Sequence, residues 1–548
     1  YFFPSATSMP LDHDGDTIRF TKKEVETHLH HMQQGKAKDL LGLNLELLLW
    51  GGVSLLTRLV HDLNKAMAQG LPKDWRTRRL VPIYKEGNRE DVQNYRTIMV
   101  GNIFAKVLGG LLEARLNSWL EMEMKRAPSQ AGFRREFSTM DHILCLRVAC
   151  EKAKLSHKPL FCLFVDFSKA FDKVGRSKLW DRMVELGVPE EIRCAISKLY
   201  EEVRIKLSTD TPEEILSTLG VIQGCPLSPT LFGIFIDKLH TILEEHGGIG
   251  TQMGRLILQL LIFADDVVLL AHDQEALQRH LDALDEFCQG TGMTVNLKKT
   301  KCLGIGTRQH LLLYFQGKQV ESVKTYKYLG VEFSQNLSWA SCVKSRVANG
   351  YKAFYAFVNK CKEASLHTWK LRKHLFGALV KPVILYGAQV WGAGVSKSGW
   401  QDIEKIQKLF LEMELGVRSQ TPYALTLAEA GLLPLEGEAL FQTLKYIMRV
   451  RELEGDRLPF QAMRSSSAKG WYADVCLWAH AWDFPEHQWP SDPKKLRFAL
   501  EQKIVHKCWH DPSPRLQYYM RDVNPMSKYG EQEYLSRDIS VQLRHIIA

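Results

Sequence analysis

Two apolar runs in this chain end in carboxylates, and that feature limits the fold more than any other. Lys158 to Phe167 reads KPLFCLFVDF, a nearly continuous apolar stretch of strand length with Asp166 near its end. Leu260–Ala264 and Val267–Leu270 are two more apolar runs, with only Asp265 and Asp266 between them. Short apolar runs of this kind predict buried strands, and two residues between a pair of them predict a tight hairpin with both acids at its tip. Taking a carboxylate out of water costs roughly several kcal/mol unless a counter-charge is near, and neighbouring acids add their mutual repulsion. A lone Asp-Asp pair reads as a surface turn; joined by a second strand-ending Asp, a cation site is the stronger reading. Oxygen-only donors favour Mg²⁺, with Mn²⁺ as the alternative, over zinc. Two such ions about 3.5–4 Å apart form the clamp that in-line phosphoryl transfer uses.

The surrounding pattern is mixed. Thr21 to Gln34 predicts a helix, with Thr21 and Glu24 spaced as a capping box and Gly35 as its stop. A second helical stretch runs from about Leu43 to Ala68 and breaks at Gly70-Leu71-Pro72. Arg79–Tyr84 reads as a strand with Gly87-Asn88 as its turn, Gly101–Glu123 and Gln274–Gln289 as helices, and Cys302–Ile305 and Tyr326–Phe333 as short strands. Beyond Asn336 the pattern becomes helical: Val343, Val347, Tyr351, Phe354, Val358 and Cys361 fall on one face, with Lys344, Lys352 and Lys362 off it. From about Glu452 the chain is rich in Trp, His and Pro with weak periodicity, which sets that segment apart as a small module.

Charge is concentrated rather than spread. The chain of 548 residues carries a net +10, and Ser341–Trp400 alone holds ten Lys or Arg against one acid, Glu363, a net +9. A local excess of this size predicts a polyanion-binding surface. Eleven cysteines without a CxxC argue against a disulfide framework or a classical zinc module and for a reducing compartment. His506-Lys507-Cys508-Trp509-His510 has poor spacing for zinc and reads as a polar surface segment. No apolar stretch reaches the ~18–20 residues of a membrane span. The opening Tyr1-Phe2-Phe3-Pro4 has no signal-peptide layout and reads as the start of an excised piece of a longer protein.

Five blocks then carry a family resemblance: LFVDFSKAFDKV (163–174), GVIQGCPLSPTLFGIFID (220–237), FADDVVLLA (263–271), GMTVNLKKTKCL (292–303) and YKYLGVEF (326–333). In this order they resemble the palm motifs of reverse transcriptases, with the flavour of non-LTR (LINE-type) retrotransposons. LPKDWRTRRLVPIYKEGNREDVQNYRTIMV (71–100) and SQAGFRREFSTMDHI (129–143) resemble the finger motifs of that family, and FTKKEVETHLHHMQQGKAKD (20–39) the helix placed before them.

The resemblance implies an α+β right-hand polymerase: N-terminal helices over 1–70, fingers and palm with antiparallel sheet over 71–335, an all-α basic thumb over 336–451, and the small C-terminal module over 452–548. It implies that Asp166 and Asp265 ligate two Mg²⁺ ions directly, with Asp266 completing the triad less directly. Phe171 matches the aromatic gate that excludes a ribose 2′-hydroxyl. Gln223 and Gly224 match the turn that passes close to nucleotide and template. Lys85 and Arg96 match triphosphate-holding positions, where fixed positive charge offsets developing negative charge. Lys299, with Lys298 and Lys301 as rivals, matches the lysine that protonates the leaving pyrophosphate. Lys344, Lys352, Arg372 and Lys373 are the thumb residues expected on template–primer phosphates.

The implied activity is RNA-directed DNA synthesis from dNTPs on the element's own RNA template, extending a DNA primer at a nicked chromosomal target. That places copying in the nucleus, after assembly on RNA in the cytoplasm, without a membrane partner and without a recognised targeting signal. Nicking falls to an endonuclease outside these residues. A domesticated RNA-binding protein with an idle polymerase is disfavoured by the intact acid triad, an RNA-dependent RNA polymerase by Phe171, and a nuclease using the same acids is a distant alternative. Two departures, Lys38-Asp39-Leu40-Leu41-Gly42 in place of a Pro/Gly-rich turn and Thr97 in place of a proline, touch finger geometry and not the acids.

Overall fold

The strand Leu160–Asp166, buried in every residue before its terminal acid, is the middle of the larger sheet. It pairs antiparallel with Asp266–Ala271 on one side and Lys301–Ile305 on the other; Leu260–Phe263 and Glu321–Val323 form the edges. In this computed structural model the described residues are 18–509, apart from 40, 86, 208–212, 248–249, 308, 310 and 467, together with 517 and 521. Tyr1-Phe2-Phe3-Pro4 and the end of the 506–510 cluster lie outside them.

Side chains alternate along the central strand as strand geometry requires. Cys162 and Phe164 face the helix Thr139–Leu155 and the C-terminal helices, whereas Phe161, Leu163 and Val165 face a core shared with helices Ser228–Ile236 and Gln274–Thr291. With both faces covered, the strand reads as the continuous apolar run seen in the sequence. The hairpin Leu260–Phe263/Asp266–Ala271 turns at Ala264-Asp265, with Ala264 at φ +58°. The turn thus lies one residue earlier than expected, and Asp266 is the first residue of its strand, directly opposite Asp166. Ser129–Ala131 covers the outer edge: Ile262 N–H donates to Ser129 O (2.8 Å) and Ala131 N–H to Ile262 O (2.9 Å).

A second sheet has the order Tyr95–Gly101, Thr77–Tyr84, Val203–Lys206, Glu214–Ser217. Asn102 caps the helix Ile103–Met122 that follows it. The first helix, Lys22–His31, starts at the Thr21/Glu24 capping box and is tied to that long helix by Glu24–Arg115 (2.8 Å). The helical run expected from 43 to 68 is two helices, Leu45–Trp50 and Gly52–Gln69, because Gly52 takes φ +76° and interrupts the ladder. The hairpin Thr325–Tyr328/Val331–Ser334 turns through Leu329 and Gly330, both at positive φ, the signature of a type I′ turn.

Beyond it the chain is helical: Ala340–Glu363, Trp369–Leu375, Lys381–Leu385, Lys397–Leu415, Tyr423–Ala430 and Leu435–Arg451 lead into Leu458–Ser465, Trp471–Ala481 and Pro493–Trp509. The segment that composition sets apart from residue 452 shares one apolar core with the larger sheet and the basic helices. Leu458, Ala462, Trp471, Val475 and Trp478 all lie in it, and the Trp391, Trp400 and Trp478 rings stack in sequence at 5.8 and 5.7 Å. Arg147, on Thr139–Leu155, bonds Glu151 (2.6 Å), Asp474 (3.0 Å) and the Val390 carbonyl, and so joins sheet, basic helices and C-terminal segment. The cysteines from Cys145 to Cys476 are free, and among the described residues no single helix is long and apolar enough to cross a membrane.

Candidate active site

Asp166 leaves its strand under close control. Its N–H donates to Thr300 Oγ1 (3.2 Å), its carbonyl accepts from Asn296 N–H (2.7 Å), and its carboxylate accepts from the Asn296 side chain. The segment 294–300 is held against the strand end by Ser168 N–H on Thr294 O (2.9 Å) and the Phe167–Val295 bridge, and it carries Lys299 to the carboxylate. Burial raises the Asp166 pKa, Lys299 and then Lys85 oppose it, and Asp265 adds to it. For Asp266, burial and then the like charges of Asp265 and Asp166 push the carboxyl up to about 6. Tyr326 stacks on Phe164 (4.0 Å between centroids), and burial followed by the Asp266 and Asp166 charges push its phenol up to about 12. The hairpin 325–334 therefore lies beside the acids.

Asp166, Asp265 and Asp266 form one patch of like charge, as expected. Among the described residues, however, no three His, Cys, Asp or Glu side chains are drawn into a closed metal cage. The three carboxylates are close enough to act on one another's charge: Asp265 raises the pKa of both Asp166 and Asp266, and Asp166 raises that of Asp266. Carboxylate oxygens are the hard donors that a divalent cation takes, and among the nearby cations Lys299 and Lys85 act on Asp166, not Asp266.

Across from the acids stands an aromatic and basic wall. Phe171 sits in the turn Ala170–Lys173; its carbonyl accepts from Val221 N–H (2.9 Å), and its ring stacks on Phe232 at 4.4 Å. Gln223 Nε2 donates to Asp172 Oδ1 (2.7 Å), and the Gln223 carbonyl accepts from Met99 N–H (2.7 Å), docking this turn on the finger strand Tyr95–Gly101. Gly224 has φ +113°, and a Cβ there would meet Met99 O at 2.8 Å, so the approach demands glycine. Burial raises the Asp172 pKa, opposed by the Gln223 hydrogen bond and by Lys169, Lys85 and Arg96. Lys85 and Arg96, both solvent-exposed on one hairpin, thus converge over the same cleft.

Sequence reasoning did not single out Asn296, Asp172 or Phe133, whose ring meets Phe171 edge-on at 6.0 Å. Asp172 lies inside the block 163–174 and could have been found as the polar residue next to Phe171; Asn296 looks like any turn residue.

The basic helices divide the expected phosphate-facing set. Lys344 and Lys352 are exposed on Ala340–Glu363. Arg372 instead bonds Glu414, whose side chain is 1% exposed, at 2.6 Å, and lies over the Phe357 ring. Lys373 donates to the Ala430 carbonyl (2.8 Å). Arg346 and Lys381 of the same +9 segment are likewise held inside, by the Gly330 carbonyl and by Glu438. Part of that charge therefore stabilises the helical fold, and the expectation for Arg372 and Lys373 is corrected accordingly.

Antiparallel strands delivering acids to one edge, a hairpin bearing Lys85 and Arg96 near them, and basic helices beyond make the α+β arrangement expected of a right-hand polymerase. Residues 83–333 match the family model described as reverse transcriptase (RNA-dependent DNA polymerase). The chain is 27% identical over 366 residues to the Pol polyprotein of type-1 retrotransposable element R2 of Popillia japonica, covering 64% of this chain and 49% of that protein. It is 28% identical to that of element R2DM of Drosophila melanogaster (48% and 26% covered), and 25% identical to the probable RNA-directed DNA polymerase from transposon BS of the same fly (62% and 38%). It thus spans half or less of these curated relatives' length. A solved telomerase from Candida albicans, in complex with a TWJ fragment of telomeric RNA, superposes with a TM-score of 0.41 at 11% identity, over 87% of this chain and 68% of that one. Residues 83–333 thus match a reverse transcriptase domain, and the relatives that the chain resembles come from non-LTR retrotransposons.

Proposed function

We propose that this chain copies RNA into DNA by metal-assisted nucleotidyl transfer, extending a DNA primer at a nicked chromosomal target in the nucleus, with the nick supplied by another activity. The observation that carries the reading is the register placing Asp166 opposite Asp266, with Asp265 in the adjoining turn and the Lys85–Arg96 hairpin facing them. Asp166 and Asp265 would hold two Mg²⁺ ions and Asp266 would support them; bound there, the ions would activate the primer hydroxyl and neutralise charge on the transferred phosphoryl group. Lys85 and Arg96 hold the triphosphate. Phe171 closes the space where a 2′-hydroxyl would lie, Gln223 is fixed by Asp172 beneath the nucleotide, and Lys299 supplies a proton to the departing pyrophosphate. Lys344 and Lys352 hold template–primer phosphates.

Primer extension by the purified chain on an RNA template, with dNTPs or NTPs and with or without EDTA, tests this reading. Extension with dNTPs that EDTA stops is expected; extension with NTPs alone would replace it with RNA synthesis, and no extension would leave an RNA-binding protein.

A further inference from the structure

The edge-on ring beside Phe171 has no packing reason to be there. Phe133 is 46% exposed, a large apolar side chain that belongs to neither core and meets the Phe171 ring. Its backbone lies at φ +61°, in the left-handed region that costs a non-glycine residue about 1–2 kcal/mol, so the surrounding structure must hold it. It does so on both sides. Ser129–Ala131 is bonded to Ile262 of the larger sheet, and Gly132 N–H donates to Gln130 Oε1 (2.7 Å). A Cβ on Gly132 would lie 2.2 Å from Ala264 N, in the turn that carries Asp265. Next in the chain, Arg134 is fastened by Glu121 (2.7 Å) and by the Ala127 and Gln130 carbonyls (3.1 Å each). Strain that its surroundings hold this firmly marks a residue whose position matters.

Resting on the polymerase reading above, we propose that Phe133 is a specificity-determining positioning residue that locks the Phe171 ring in the orientation excluding a 2′-hydroxyl. Phe232, fully buried, stacks on one face of Phe171 at 4.4 Å and 13°; Phe133 meets the same ring at 6.0 Å and 90°. A ring supported by only one face can pivot about its Cα–Cβ bond away from the nucleotide sugar. A second aromatic set perpendicular to it removes that freedom, and this edge-to-face geometry is the one aromatic quadrupoles favour. Because the segment carrying Phe133 is bonded to the hairpin of the acids, the gate is referenced to the reacting centre as well as to the strand Tyr95–Gly101 on which its own turn docks.

The test is the ratio of NTP to dNTP incorporation on an RNA template for the parent, Phe133→Ala, Phe133→Tyr, Phe171→Ala and the double variant Phe133→Ala/Phe171→Ala. Phe133→Ala is expected to raise the ratio about three- to tenfold, the range that removal of one aromatic pair allows. Phe133→Tyr, which keeps the ring, should stay near the parent. In the double variant the ratio should equal that of Phe171→Ala alone, since Phe133 acts only through that ring. Should Phe133→Ala fold poorly, Phe133→Leu keeps the bulk, loses the ring edge and should raise the ratio in the same direction. An unchanged ratio in active Phe133→Ala or Phe133→Leu protein, or additive effects in the double variant, overturns the proposal while the polymerase reading stands. A folded parent that extends no primer with dNTPs overturns the polymerase reading, and the gate proposal with it.

Discussion

The charge of Asp265 raises the proton affinity of both Asp166 and Asp266, and Asp166 adds to that of Asp266, which makes single substitutions informative. Asp265→Asn or Asp166→Asn removes a carboxylate and much of the local repulsion while leaving the strand register in place. DNA synthesis is expected to fall below detection in either variant, with RNA affinity by filter binding unchanged within about twofold, since phosphate contacts dominate that affinity. Retained synthesis in both would remove the acids from the reaction. These carboxylates were legible in the sequence because a charge inside an apolar run contradicts its surroundings. Asn296 was not: its value comes from its bond to Asp166, far earlier in the chain, and nothing local distinguishes it from a turn former. Arg372 misled for the mirror-image reason. An arginine that meets a buried glutamate 42 residues on, across another helix, is indistinguishable in sequence from one that meets a phosphate.

At the scale of elements, the basic helices combine two kinds of charge that separate measurements can resolve. Neutralising Lys344 and Lys352 should flatten the slope of log affinity for template–primer against log salt by about 0.7–0.9 for each phosphate that is no longer neutralised, with an unchanged melting temperature. Arg372→Ala should do the reverse: it withdraws the guanidinium from Glu414 in the interior, a cost of about 3–5 kcal/mol in stability, read as a lower melting temperature. A parental salt slope in the lysine variant would show that those side chains merely face water. The helix Lys397–Leu415 holds a second interior acid. Glu404 accepts from Tyr423 Oη (2.5 Å) and Glu436 N–H (2.8 Å), and burial pushes it up to about 7. A carboxyl whose folded value is raised contributes stability that is complete below about 4.5 and lost as pH rises through about 7. Glu404→Gln should therefore gain on the parent between pH 5 and pH 8, by about 2–3 kcal/mol at most, in paired thermal melts; a difference independent of pH would refute that ionisation. Elements themselves were largely readable, since the 3.6 and 2 periodicities survive packing. Where they failed, at Gly51-Gly52 and at the Ala264-Asp265 turn, one backbone torsion decided the boundary.

For the molecule as a whole, the joint at Arg147 matters most. Its side chain is 2% exposed and bonds Glu151, Asp474 and Val390, so Arg147→Met leaves two acids facing each other without their cation. A destabilisation of about 3–5 kcal/mol is expected, and Asp474→Asn made in the Arg147→Met background should recover part of it; a melting temperature equal to the parent's would mean the joint holds nothing. Composition alone could not reveal this union, because tryptophans that stack on a neighbouring domain read the same as tryptophans that build their own. The joint also sets a schedule. Arg147 and Asp474 are 327 residues apart, and Asp141 meets Tyr446 across 305. At a synthesis rate of about 5–20 residues per second, the helix Thr139–Leu155 waits for roughly tens of seconds after leaving the ribosome before its last partners exist. Through that interval the face that will carry Trp471 and the stacked tryptophans stands open to water, and a nascent chain halted anywhere before residue 480 is a client for chaperones rather than a shorter enzyme.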